Sequence, residues 1–83
     1  MCWFCYLLRC ADNTLYCGIT NDLDKRLAAH NAGTASKYTR ARVPVELVFF
    51  EPCADRSAAS KREMAIKNLK RADKLKLIQS CLK

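Results

Sequence analysis

The stretch Leu15-Tyr16-Cys17-Gly18-Ile19-Thr20 sets the tightest limit on what this chain can fold into. Its aromatic and aliphatic residues favour an extended backbone. Gly18 falls where that strand must turn or let another backbone come close. Asn21 then offers an oxygen to cap a helix, and Leu23, Leu27 and His30 follow at helical spacing until Gly33 stops it. At about 100° per residue, Arg26 and His30 share one flank of that helix, beside the Leu23/Leu27 stripe. A phenol, a guanidinium and an imidazole are thereby directed to one strand–helix junction.

The rest of the chain supplies partners for that junction. Residues 3–9 read as a strand with Phe4, Tyr6 and Leu8 on one face by the two-residue period. Ala11-Asp12-Asn13-Thr14 is a turn, so residues 15–19 return as the second arm of an antiparallel hairpin. The helix is expected over about 21–32, and a polar loop over 33–44. A third strand covers 45–51, closed by Pro52. Asp55 or Ser57 caps a helix running to about 69. A last helix covers about 72–82, with Leu75, Ile78 and Leu82 at spacings of three and four. The expected fold is α/β of the α+β kind, with a small three-stranded antiparallel sheet flanked by helices.

Eighty-three residues make one domain with a single modest core. A hydrophobic fraction of 51% argues against disorder. Fifteen Lys and Arg against eight Asp and Glu give a formal charge of +7, a field attractive to polyanions. Nucleic acid is the first candidate partner and an anionic membrane surface the second. The first nine residues carry no basic leader and too short an apolar run to span a bilayer, so a cytoplasmic protein is expected. Of the six cysteines, Cys2, Cys5, Cys10 and Cys17 lie in strand-like apolar runs and read as reduced thiols. Cys2-x-x-Cys5 is half of a zinc pattern, with no second pair to complete it.

Glu63 is the most informative acid. It lies four residues after Ala59 and three before Ile66, on the inward stripe of its helix. A carboxylate there is costly unless paired or holding a metal. It reads either as a buried salt bridge, for example to Arg26, or as an oxygen ligand for Mg²⁺. Tyr6 and Tyr16, on adjacent strands, can face the same side, where cations such as Arg26 would ease loss of a phenol proton. Lys37, Tyr38, Arg40 and Arg42 interleave cations with an aromatic, as a segment contacting phosphates and bases does. Lys67 belongs to a further run of basic residues in the C-terminal third.

Taken in order, Tyr6-Leu7-Leu8, Tyr16-Cys17-Gly18, Arg26, His30-Asn31 and Glu63 resemble the GIY-YIG nuclease superfamily, and most of all its small stand-alone bacterial-type members. Lys37-Tyr38-Thr39-Arg40 and Asp55-Arg56-Ser57 fit the same resemblance. Where the family's first triplet has Gly-Ile-Tyr, this chain has Phe4-Cys5-Tyr6, and Cys17 stands in the middle of the second triplet. The resemblance implies a metal-dependent endonuclease that hydrolyses phosphodiester bonds with Mg²⁺ or Mn²⁺. Carried over, Tyr6 and Tyr16 are the motif tyrosines, one of them the general base. Arg26 steadies the phosphate, His30 assists proton transfer or binds phosphate, and Glu63 holds the ion. DNA is the expected substrate and RNA a possible one. With no second DNA-binding domain in the chain, the expected selectivity is for structure over sequence, in repair or recombination. The rivals are a non-catalytic nucleic-acid-binding module on the same scaffold and a basic protein that docks an acidic partner.

Overall fold

A computed structural model of the chain describes residues 2–81, with Cys81 described by its backbone alone. Leu82, expected on the stripe of the last helix, lies outside the described residues, as does Lys83.

Strand β1 (Trp3–Arg9) and β2 (Leu15–Thr20) form the expected hairpin, paired from Phe4 opposite Thr20 to Arg9 opposite Leu15. Asn13 takes the positive φ of 68° that the turn needs, a conformation Asn tolerates better than most residues. Strand β3 (Glu46–Cys53) pairs antiparallel on the other side of β1, giving the sheet order β2-β1-β3. This strand runs through Pro52 instead of ending before it. Proline is tolerated there because β3 is an edge strand with one side unpaired. Leu7 pairs with Phe49 and Leu8 with Leu47, so Val48 is the extra residue of a bulge.

Helix α1 spans Leu23–Asn31. Its cap is Asp22, one residue later than the Asn21 expected from sequence: the Asp22 carboxylate accepts from the Lys25 amide at 3.1 Å. The Thr20 hydroxyl selects this choice by accepting from the Asp22 amide at 3.1 Å. The segment expected as a loop contains a short helix, α2 (Lys37–Arg40), capped by Ser36 through the Tyr38 amide. Helix α3 (Arg56–Lys67) is capped by Asp55, whose carboxylate accepts from the Ala58 amide at 2.8 Å. It ends at Lys67 with Asn68 as its C-cap, slightly before the expected position, and α4 covers Arg71–Cys81.

The alternation of β1 builds two apolar layers. Cys5 and Leu7 point to one face, where they meet Cys17, Phe49, Ile66 of α3 and Ile78 of α4. Tyr6 and Leu8 point to the other, where they meet Tyr16 together with Leu23 and Leu27 of α1. Helices thus cover both faces of the sheet. Cys5 is buried in the first layer and Cys2 is exposed at the chain start. Cys2, Cys5, Cys10, Cys17 and Cys53 are free thiols. Among the described residues no helix is long and apolar enough to cross a membrane.

Candidate active site

The α1 face of the hairpin gathers the aromatic and imidazole groups. Tyr6 sits opposite Gly18 in the β1–β2 register. A Cβ on Gly18 would stand 2.5 Å from the Tyr6 hydroxyl and 3.2 Å from the Tyr16 ring. The glycine therefore makes room for both phenols. His30, near the end of α1, is only 1% exposed and hydrogen-bonded at both ring nitrogens. Nε2 lies 2.9 Å from the Tyr6 hydroxyl and Nδ1 lies 2.8 Å from the Thr39 hydroxyl.

The proton order along this chain follows from Thr39. Its oxygen lies 3.4 Å from the Ser36 carbonyl, which can only accept, and a hydroxyl that donates there accepts from His30 Nδ1–H. Nε2 is then the acceptor, and the Tyr6 O–H donates to it. Burial, reinforced by the Arg26 guanidinium, lowers the His30 pKa below its ordinary 6.5 and keeps the ring neutral. Burial also raises the Tyr6 pKa, with Tyr16 adding to the rise and Arg26 opposing it. The sequence suggested that neighbouring cations would ease deprotonation of this phenol. For Tyr6 the reverse holds, because desolvation outweighs one guanidinium.

Tyr16 is half-buried, edge-on to His30 at 5.2 Å and stacked on Tyr38 at 5.6 Å. Arg26 is exposed beside this cluster. Lys37 and Arg40 of α2 are exposed as well, whereas Arg42 serves the scaffold. Its guanidinium lies 4.2 Å over the Tyr38 ring and donates to Asp12 at 3.0 Å and to the Tyr38 carbonyl at 2.7 Å. Asn31 is likewise structural, donating to the Val45 carbonyl and accepting from the Val45 amide.

Glu63 is placed differently from the other candidates. Helix α3 covers the opposite face of the sheet, and the Glu63 carbonyl accepts from the Cys17 thiol at 3.9 Å. Cys17 lies between Tyr16 and Gly18, so Glu63 and the phenols flank the same stretch of β2 from opposite sides. Strand β2 is an edge of the sheet, and a ligand reaching both groups has a single strand to pass around. Of the two readings of Glu63, the salt bridge is made to Lys67 and not to Arg26. The Glu63 carboxylate, 22% exposed, lies 3.5 Å from Lys67 one turn along the helix. It stands at the margin of the inward stripe, whose buried members are Ala59 and Ile66. Among the described residues no cluster of three or more His, Cys, Asp or Glu could cage a metal. A single, partly exposed carboxylate does suit a hard cation that keeps most of its waters, as Mg²⁺ does.

The family model of the GIY-YIG catalytic domain matches residues 2–76. The chain belongs to the GIY-YIG family. It is 49% identical over 79 residues to a UPF0213 protein of Desulfotalea psychrophila, covering 94% of this chain and 72% of that one. A UPF0213 protein of Clostridium perfringens is 51% identical over 77 residues, with 93% and 83% covered. Two solution NMR structures share the fold. One is the UPF0213 protein of Bacillus halodurans, with a TM-score of 0.60 at 35% identity, covering 95% of this chain and 84% of that one. The other is a protein of E. faecalis, with a TM-score of 0.64 at 36% identity, covering 96% and 85%. This GIY-YIG chain is thus a small UPF0213-type α+β domain from a family of endonucleases, whose members generally use divalent metal ions.

The sequence singled out Tyr6, Tyr16 and His30, and the structure brings these three together. Thr39 and the Tyr16–Tyr38 stack were not foreseen. Ser36 as a helix cap was the signal that could have revealed them, since it starts the turn that sets Tyr38 against Tyr16 and buries Thr39.

Proposed function

We propose that this GIY-YIG domain is a divalent-metal-dependent endonuclease acting on DNA, selecting structure over sequence, in repair or recombination. The observation that carries this reading is the junction of Tyr6, Tyr16 and His30 over Gly18, with Arg26 exposed beside it on a protein of charge +7. Tyr6 has its hydroxyl committed to His30. Tyr16 is the phenol nearer to solvent; having released its own proton to solvent, it takes as a phenolate the proton of the attacking water. Arg26 binds the phosphate and stabilises the negative charge that gathers on it in the transition state. His30, neutral and fixed by Thr39, orients Tyr6 and accepts its hydrogen bond. Glu63 would hold Mg²⁺ or Mn²⁺, and the bound ion supplies positive charge for the phosphate oxygens. Lys37, Tyr38, Arg40 and Lys67 extend the contact to neighbouring phosphates and bases. Arg42 supports Tyr38 from behind.

The test is a panel of labelled branched, nicked and linear DNAs with Mg²⁺ or Mn²⁺ and with EDTA. Cutting should need the metal and disappear in Glu63→Ala and Arg26→Ala, with the folded CD spectrum retained. Cutting that persists in EDTA and in Glu63→Ala would rule the mechanism out. The second reading, a nucleic-acid-binding module without turnover, draws on the position of Glu63 across β2 from the phenols. It predicts salt-dependent retention of DNA or RNA and no metal-dependent product.

A further inference from the structure

Beside Arg26 the surface opens into a cleft of about 310 Å³ between the start of β1, the end of β2 and the first turns of α1. That volume is at the small end of the range for organic ligands. Trp3 forms one wall, Ile19 and Ala29 supply apolar surface, and Asn21, Lys25 and Arg26 add polar and cationic groups. Trp3 is the only tryptophan of the chain. A large indole set half-exposed at a strand start is unusual for a core residue, and the Arg56 guanidinium lies 5.7 Å from its ring.

We propose that this cleft receives one unpaired nucleobase of the bound strand, next to the phosphate engaged by Arg26. The inference rests on the nuclease reading above and names the substrate feature that reading leaves open. Each part of a nucleotide has a counterpart here. An aromatic face suits the plane of the base. The exposed amide of Asn21 carries both a donor and an acceptor for a base edge. Lys25 and Arg26, both exposed, suit the flanking phosphodiesters. Asp22 also lines the cleft, but its carboxylate is engaged by the Lys25 amide as the cap of α1. Arg26 joins the two sites, because it lines this cleft and also bears on the pKa values of Tyr6 and His30. A base inside a duplex has both faces covered by its neighbours, so only an unpaired or extruded base can stack on Trp3. The cleft thereby favours strands at flaps, gaps and branches.

The single tryptophan reports directly. The full chain is titrated in EDTA with a short single-stranded DNA and with the same sequence as a blunt duplex, while anisotropy of a label on the DNA gives occupancy. Trp3 emission should be quenched by the single strand and, at equal occupancy, little changed by the duplex. Replacing Trp3→Ala should weaken single-strand binding about tenfold, within the contribution of one stacked base, and duplex binding by less than about twofold. Trp3→Phe, which keeps a ring, should retain most of the affinity and guards against a folding defect in the alanine variant. Equal quenching by both DNAs, or unchanged single-strand affinity in a folded Trp3→Ala, overturns the inference. Metal-dependent cutting without a Trp3 response sinks this inference alone. A strand-selective Trp3 response without cutting supports it and removes the nuclease reading instead.

Discussion

The hydroxyl of Tyr6 lies 2.5 Å from where a side chain on Gly18 would begin, the two residues being direct partners across β1 and β2. The phenol is seated on the glycine's bare backbone, and that seating brings its oxygen to His30 Nε2. A methyl group at position 18 must displace Tyr6, because the neighbouring Tyr16 ring already stands 3.2 Å away on the same face. Gly18→Ala should therefore lower stability by about 1–3 kcal/mol, the usual range for overpacking. It should also abolish cleavage even at temperatures where the variant is folded. Urea unfolding beside the cleavage assay measures both, and a variant with wild-type stability and activity would contradict the seating.

Thr39 fixes which nitrogen of His30 carries the proton. Thr39→Val keeps the shape, removes the hydroxyl and leaves Nδ1–H buried without a partner, which costs about 1–3 kcal/mol. Thr39→Ser should restore most of the loss, since it keeps the oxygen. His30→Ala should slow cleavage by about 100-fold, the scale of a small misplacement at a site, because it removes the partner that orients Tyr6. Identical unfolding midpoints for the valine and serine variants would remove Thr39 from this role.

The His30 pKa is depressed in the folded protein, so the unfolded chain binds the extra proton first as pH falls. The His30 contribution to stability is complete above about 6.5 and is lost as pH drops from there through the folded value. Unfolding midpoints measured through this window should fall in the wild type, and the fall should be smaller in His30→Gln. An equal decline in both would assign it to other groups.

Lys67 lies 3.5 Å from the carboxylate of Glu63 and competes with any cation brought there. Lys67→Ala should lower the Mn²⁺ concentration for half-maximal cleavage by roughly two- to fivefold, in keeping with a partly exposed ion pair. A metal requirement that rises would mean that Lys67 helps to present the acid.

Lys37 and Arg40 stand exposed on α2, and their joint replacement by alanine should weaken binding to all DNA sequences alike. The slope of log affinity against log salt should shrink by about 1.8, at 0.9 for each phosphate contact on duplex DNA. Binding assayed at several salt concentrations gives that slope. An unchanged value would exclude α2 from the phosphate contact.

The strands and long helices were legible because each repeats its apolar residues at a period belonging to one kind of structure. Phe4, Tyr6 and Leu8 alternate, and Leu75 and Ile78 are spaced at three. Helix α2 escaped because four residues carry no period, leaving the Ser36 cap as its only mark. Pro52 was read as a stop, although an edge strand accommodates it. Among the candidate residues, Tyr16 and His30 are legible through one continuous strand–helix junction, and Tyr6 through the hairpin that pairs β1 with β2. Glu63 is 33 positions beyond His30, and its side of the sheet depends on how α3 crosses, which no local spacing encodes. The bonds of Arg42 to Asp12 and Tyr38 are not legible in the sequence, because the Asp12 partner is 30 positions away.

Strand β1 lies in the middle of the sheet, with a partner on each side, and adjacent side chains along it serve opposite layers. Sliding it by a single residue would exchange Tyr6 for Leu7 beneath His30 and sink a phenol among aliphatic groups. Two flanking ladders resist such a slip together. The placement of one oxygen against one imidazole is therefore inherited from backbone pairing along the whole strand, and insertions within 3–9 should be tolerated far less than insertions in the 11–14 turn.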